Sequence, residues 1–110
     1  MKNEKVIILP DEEEMFKCLL KVENSSAFKK WFCPLLIKQA GKEKTAKEVA
    51  LILLSAKHDF VELLLIKDEM PLTSTLMSIH MHVMLLPRLV DTLVDDQEVA
   101  QQAKDFLEEN

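Results

Sequence analysis

At 110 residues, 48% of them hydrophobic and 30% charged, the chain has the make-up of one globular domain, not of a disordered segment. Its net charge of −5 argues against a general nucleic-acid binder. A single glycine and no tyrosine leave little material for the turns of a sheet protein, and they exclude a P-loop or a dinucleotide fold.

Residues 1–10 read as an N-terminal arm. Its apolar run Val6, Ile7, Ile8, Leu9 ends at Pro10 and suits either an edge strand or a packed segment, and it is far too short for the core of a signal peptide. Asp11 then introduces a helix with an acidic first turn, which complements the positive end of the helix dipole. Met15, Phe16, Leu19, Leu20 and Val22 form its apolar stripe. Ser25 or Ser26 can cap the next helix, whose apolar side is Phe28, Trp31, Phe32, Leu35 and Leu36. Pro34 lies inside that helix, removes one backbone hydrogen bond and predicts a kink. Gly41 falls where a left-handed C-cap is wanted.

Thr45 and Glu48 have the spacing of a capping box, so a helix is expected from about Ala46. Val49, Ile52, Leu53, Ala56, Phe60, Leu63 and Leu64 carry one apolar face to about Lys67, with Pro71 closing the region. Residues 74–85 alternate like a strand, yet Leu76, Ile79, Val83, Leu86, Val90 and Leu93 are also in helical register. Strands rarely run past about ten residues, so the stretch is read as a helix kinked at Pro87. Asp95 and Glu98 supply a capping pair for a last helix that buries Val99, Ala103, Phe106 and Leu107. The expected architecture is one all-α domain over 1–110, about five helices in antiparallel hairpins.

Two parts of the chain rhyme. Each has a proline in a first apolar stripe, a polar corner and then Glu-Val-Ala: Pro34 with Glu48-Val49-Ala50, and Pro87 with Glu98-Val99-Ala100. The prolines are 53 residues apart and the valines 50. The second copy, with Pro87, Asp95 or Asp96, and Val99, resembles a HEAT-type repeat, the helical hairpin of α-solenoids. The resemblance covers about half the chain and implies a HEAT-like stack of hairpins; a compact helical bundle is the other arrangement the pattern allows. Ala50 and Ala100 stand where that family carries arginine. The 53-residue spacing also exceeds the roughly 40–47 residues usual for such repeats.

No catalytic constellation is visible, and neither an enzyme nor a cofactor is expected. His58-Asp59 invites a catalytic reading, and His80-Met81-His82 a metal one. On a helix, however, residues two apart point about 200° from each other and cannot share an ion. At least one of His80 and His82 is expected to be a satisfied, partly buried histidine, and no metal site is assigned. Met77, Met81 and Met84 read as one stripe, suited to adaptable core or to a partner-binding groove. Cys18 and Cys33 read as reduced core thiols, with apolar surroundings that raise the pKa of Cys33.

Charge is segregated. Residues 29–47 hold six lysines against Glu43, and residues 88–110 hold seven acids against Arg88 and Lys104. Such blocks suit faces of opposite sign meeting within the protein or across an interface. The leading expectation is a non-enzymatic protein–protein interaction module, an adaptor or assembly subunit. Phe28 and Trp31 would be its apolar anchors, Lys38, Lys42 and Lys44 its basic contacts, and Asp91, Asp95, Asp96 and Glu98 its acidic ones. A protein partner or homodimer is expected, with no nucleic acid and no membrane, in a cytoplasmic setting. Two repeats are fewer than the three or so that a solenoid needs. The chain should therefore dimerise, dock on a larger partner or be part of a longer one. The alternative is a small acidic regulator or inhibitor that occupies a basic site on a partner. A third reading, an enzyme or metal protein built on His58, His80 and His82, is left to metal analysis.

Overall fold

The computed structural model of the chain describes residues 4–67 and 74–110. Pro71, expected to close the third helix, lies outside them. The arm forms strand β1 (Val6–Ile8), which pairs antiparallel with a second short strand, β2 (Glu43–Thr45). The register is Val6 with Thr45, Ile7 with Lys44 and Ile8 with Glu43. Nothing in the polar Glu43-Lys44-Thr45 run announces a strand; the pairing is imposed by the arm. The Leu9 N–H donates to the Lys42 carbonyl at 3.0 Å, and Leu9 is buried. Gly41 does adopt a left-handed conformation, φ 75°. It lies beyond the helix end, however, in the turn into β2, and its N–H donates to the Pro10 carbonyl at 2.8 Å. The left-handed residue serves the docking of the arm and does not cap a helix.

Helix α1 (Glu12–Val22) starts at Asp11, whose side chain accepts the Glu14 N–H at 2.9 Å. Met15, Cys18 and Leu19 are its buried residues; Phe16 is exposed. Ser25 accepts the Phe28 N–H at 3.3 Å. A π-helical turn (Phe28–Phe32) follows and runs into α2 (Cys33–Ile37). Helix α3 (Ala46–Lys67) is one unbroken run of 22 residues. Its capping box is reciprocal, Thr45 N–H to Glu48 at 2.8 Å and Glu48 N–H to Thr45 at 3.2 Å.

Residues 74–93 are helical: α4 (Ser74–His80), a second π-helical turn (Met81–Leu85) and α5 (Leu86–Leu93). The last helix, α6 (Gln97–Glu109), is capped by Asp96, one residue later than expected, through the N–H groups of Glu98 and Val99. With Asp96 as the cap, Glu98 stands at the second helical position and Val99 at the third, so no capping box forms; the Glu98 carboxylate instead pairs with Lys5 at 2.8 Å.

The break at each proline takes the form of its π turn. The Cys33 N–H donates to the Phe28 carbonyl and the Leu86 N–H to the Met81 carbonyl, both five residues back, and Pro34 and Pro87 come next. A proline in a regular helix lacks one donor and presses its ring on the carbonyl four residues earlier; a turn holding one more residue makes room for the ring. That extra residue also rotates the apolar stripe by about 100°. Met81 is buried before the break, and Leu86, Leu89, Val90 and Leu93 after it. The uninterrupted register had placed Leu76, Ile79 and Val83 on the same buried side. They are instead 61%, 55% and 62% exposed.

One core unites the elements. Helix α3 packs on α6, α2, α4 and α5, and α1 closes the other side against α5 and α2. Phe28 stacks on Phe32 with ring centroids 4.8 Å apart, and Phe32 meets Phe60 edge-on at 5.4 Å. No polar or charged side chain is buried among the described residues. The fold therefore rests on apolar burial, worth about 1.5–3 kcal/mol for each large side chain.

Candidate interaction surfaces

The register change at the second π turn leaves an apolar face outside the core. Leu76, Ile79 and Val83 share one side of the helix and are exposed, with Met84 54% exposed beside them. Residues 70–87 contain no charged side chain that could solvate this face, with His counted as neutral. Helix α3, on which α4 packs, carries exposed Leu65 and Ile66 near its C-terminal end.

The other proline-bearing helix provides an internal control. Displaced by the 53 residues that separate the two π turns, Ile79 and Val83 correspond to Ser26 and Lys30, and Met84 to Trp31; Leu76 has no helical counterpart, because Glu23 lies in the turn after α1. Ser26 and Lys30 are exposed and polar, and Trp31 is half-buried. The local geometry therefore does not demand apolar side chains at the Ile79 and Val83 positions, and the second stretch has them nonetheless. Between the two π turns lies an apolar groove of about 350 Å³, lined chiefly by Phe28, Phe60, Leu64, Met77, Met81 and Leu85. Exposed apolar surface of this kind, next to a groove, is the usual mark of a docking site.

The anchors expected from sequence are placed differently. Phe28 is only 1% exposed and belongs to the core. Trp31 is half-buried, with the Lys30 ammonium 5.0 Å from its ring centroid. Lys38 and Lys42 are exposed, and Lys44 is half-buried in β2. The acidic set is largely engaged within the chain. Asp91 pairs with Lys104 at 2.8 Å, and Lys5 bridges Asp96 at 3.2 Å and Glu98 at 2.8 Å. Asp95 is exposed, with no hydrogen bond or ion pair among the described residues. The lysines that meet the acids thus come from the arm and from α6, not from the basic block 29–47. Both Lys5 partners push its pKa up, Glu98 first, while the Val99 N–H and then Lys5 hold the Asp96 carboxyl below its ordinary value.

His80 is exposed. His82 is half-buried and satisfied: its Nε2 lies 2.6 Å from the Leu107 carbonyl oxygen and its Nδ1 3.4 Å from the Lys57 ammonium. His58, Asp59 and Glu62 do bring possible ligand atoms within 4.8 Å of one another, a grouping the sequence reading missed. The signal was the one-turn spacing of His58 and Glu62, which form an exposed contact of 3.5 Å. The methionine stripe is split by the π turn: Met81 is buried, Met77 half-buried and Met84 exposed. Burial pushes the Cys33 thiol up to about 11; Cys18 is raised as well, by burial first and then by the Glu14 carboxylate. No helix among the described residues is long and apolar enough to cross a membrane.

No family model matches the chain, nor does any curated protein or solved structure.

Proposed function

We propose that the protein is a non-enzymatic interaction module, an adaptor or assembly subunit, that docks on another protein through the outer face of α4. One observation carries this reading: Ile79 and Val83 stand exposed where the equivalent positions of the first copy hold Ser26 and Lys30, with Leu76 and Met84 exposed beside them. The adjoining groove would take apolar side chains from a partner helix. The recurrence of π turn and proline after 53 residues further supports reading the hairpins α2–α3 and α5–α6 as two copies of one HEAT-like unit. The acidic-regulator reading has less support, since Asp91, Asp96 and Glu98 already hold lysines of the same chain.

The test compares the wild-type chain with an Ile79→Ser/Val83→Ser variant. Hydrophobic-dye binding, self-association by sedimentation and recovery of bound proteins from a native extract should all fall in the variant, with thermal unfolding unchanged. A variant that keeps the same associations removes the α4 face from consideration.

A further inference from the structure

A second surface, independent of the α4 face, lies along β1. The hydrogen bond from the Leu9 N–H to the Lys42 carbonyl sets the phase of the pairing. In an antiparallel ladder backbone groups point alternately to either side, so Ile7 and Leu9 face β2 while Val6 and Ile8 turn theirs to the opposite edge. The sheet has two strands, and no third strand among the described residues takes that edge. Val6 and Ile8 are 52% and 67% exposed. Beyond the edge runs a groove of about 640 Å³, walled on its far side by α1 and by the end of α5 with the turn after it. None of the β2 residues lines it, which places it on the unpaired side of β1. Its floor includes Cys18 and Leu93, and its charged groups are Glu14, Asp95 and Asp96, with no basic residue among them. Asp96 already holds Lys5, whereas Glu14 and Asp95 have no basic partner among the described residues.

We propose that this edge binds an extended peptide segment in which basic residues alternate with β-branched apolar ones. Strand addition would satisfy the outward N–H and C=O groups of Val6 and Ile8. Alternate side chains of the added strand would then lie on the same side as Ile7. Lysine or arginine there runs its aliphatic stem over Leu93 and Cys18 and brings its charge to Glu14 and Asp95. The intervening residues lie outward beside Val6 and Ile8, where β-branched cross-strand neighbours are favourable. Charge complementarity selects this occupant: an acidic strand would set like charges against Glu14 and Asp95, which have no basic partner among the described residues.

The test uses the full chain and a fluorescent heptapeptide, Lys-Val-Lys-Val-Lys-Val-Lys, with a Glu-for-Lys peptide of the same pattern as comparison. The lysine peptide should bind and the glutamate peptide should not. Binding should weaken roughly tenfold in Glu14→Gln/Asp95→Asn and stay unchanged in Asp59→Asn/Glu62→Gln, which alters acids remote from the groove. Hydrogen exchange should show the Val6 and Ile8 amides protected only when the peptide is bound. Equal binding of both peptides, equal affinity in the groove variant, or unprotected Val6 and Ile8 amides would overturn the proposal. So would protection of those amides in a peptide-free dimer, which would assign the edge to a second copy of the chain.

Discussion

His82 and Leu107, 25 residues apart, are joined by a 2.6 Å hydrogen bond from the imidazole Nε2 to the backbone carbonyl oxygen. A carbonyl only accepts, so the proton sits on Nε2, leaving Nδ1 to accept from Lys57. The contact ties the second π turn to the last turn of α6. His82→Ala is expected to lower stability by about 1–2 kcal/mol, the cost of a lost part-buried hydrogen bond. Urea unfolding measures this, and ring nitrogen chemical shifts check the tautomer. A variant as stable as the wild type would mean that the bond is made no better than its replacement by water.

The π turn makes a sharp distinction within one helical segment. Leu89→Ala should cost about 2–5 kcal/mol, as truncation in a packed core does. Val83→Ser, a position that an unbroken helical register would bury, should stay within about 0.5 kcal/mol of wild type. Equal costs in denaturant unfolding would show that the helix keeps one uninterrupted phase.

The contact between the arm and α6 predicts opposite behaviour at the two ends of the pH scale. The Asp96 carboxyl is held below its usual 3.8, so the stability it contributes is complete above that value and is lost as pH falls through the lowered one. The Lys5 ammonium is held above 10.5, so its contribution is complete below that value and is lost as pH rises through the raised one. Asp96→Asn keeps the helix cap and should flatten the acid limb of a plot of Tm against pH. Lys5→Met should flatten the alkaline limb. Asp96→Ala should also lose the cap, with a fall in Tm of a few degrees at neutral pH.

Both thiols should be inert in the folded protein. Cys18 and Cys33 are buried and their pKa values are raised, and the thiolate is the reactive form. At pH 8, alkylation should be slow for both and become fast together in denaturant. Rapid labelling of Cys33 alone would reveal local opening around the first π turn.

Most of the helices were legible because their signals are local. The Thr45–Glu48 spacing, the acidic turn after Asp11 and the stripe from Val49 to Leu64 each act within a few residues. What escaped depends on distant partners. Strand β2 exists because Val6, Ile7 and Ile8 arrive beside it, and Asp96 and Glu98 find their basic partner in Lys5 of the arm. The exposed apolar face was hidden by a single inserted residue: a period of 3.6 assigns Ile79 and Val83 to the interior until the five-residue turn is counted. Phe28 was read as an anchor for a partner because its stacking on Phe32 and the edge contact with Phe60 close the space around it only in three dimensions.

The arm has a consequence for synthesis. Ile7 is made 37 residues before its partner Lys44, and the clamp on Lys5 waits for Glu98, 93 residues after it. The arm is therefore secured long after it is made. Until then Val6, Ile7, Ile8 and Leu9 travel as an unprotected greasy thread.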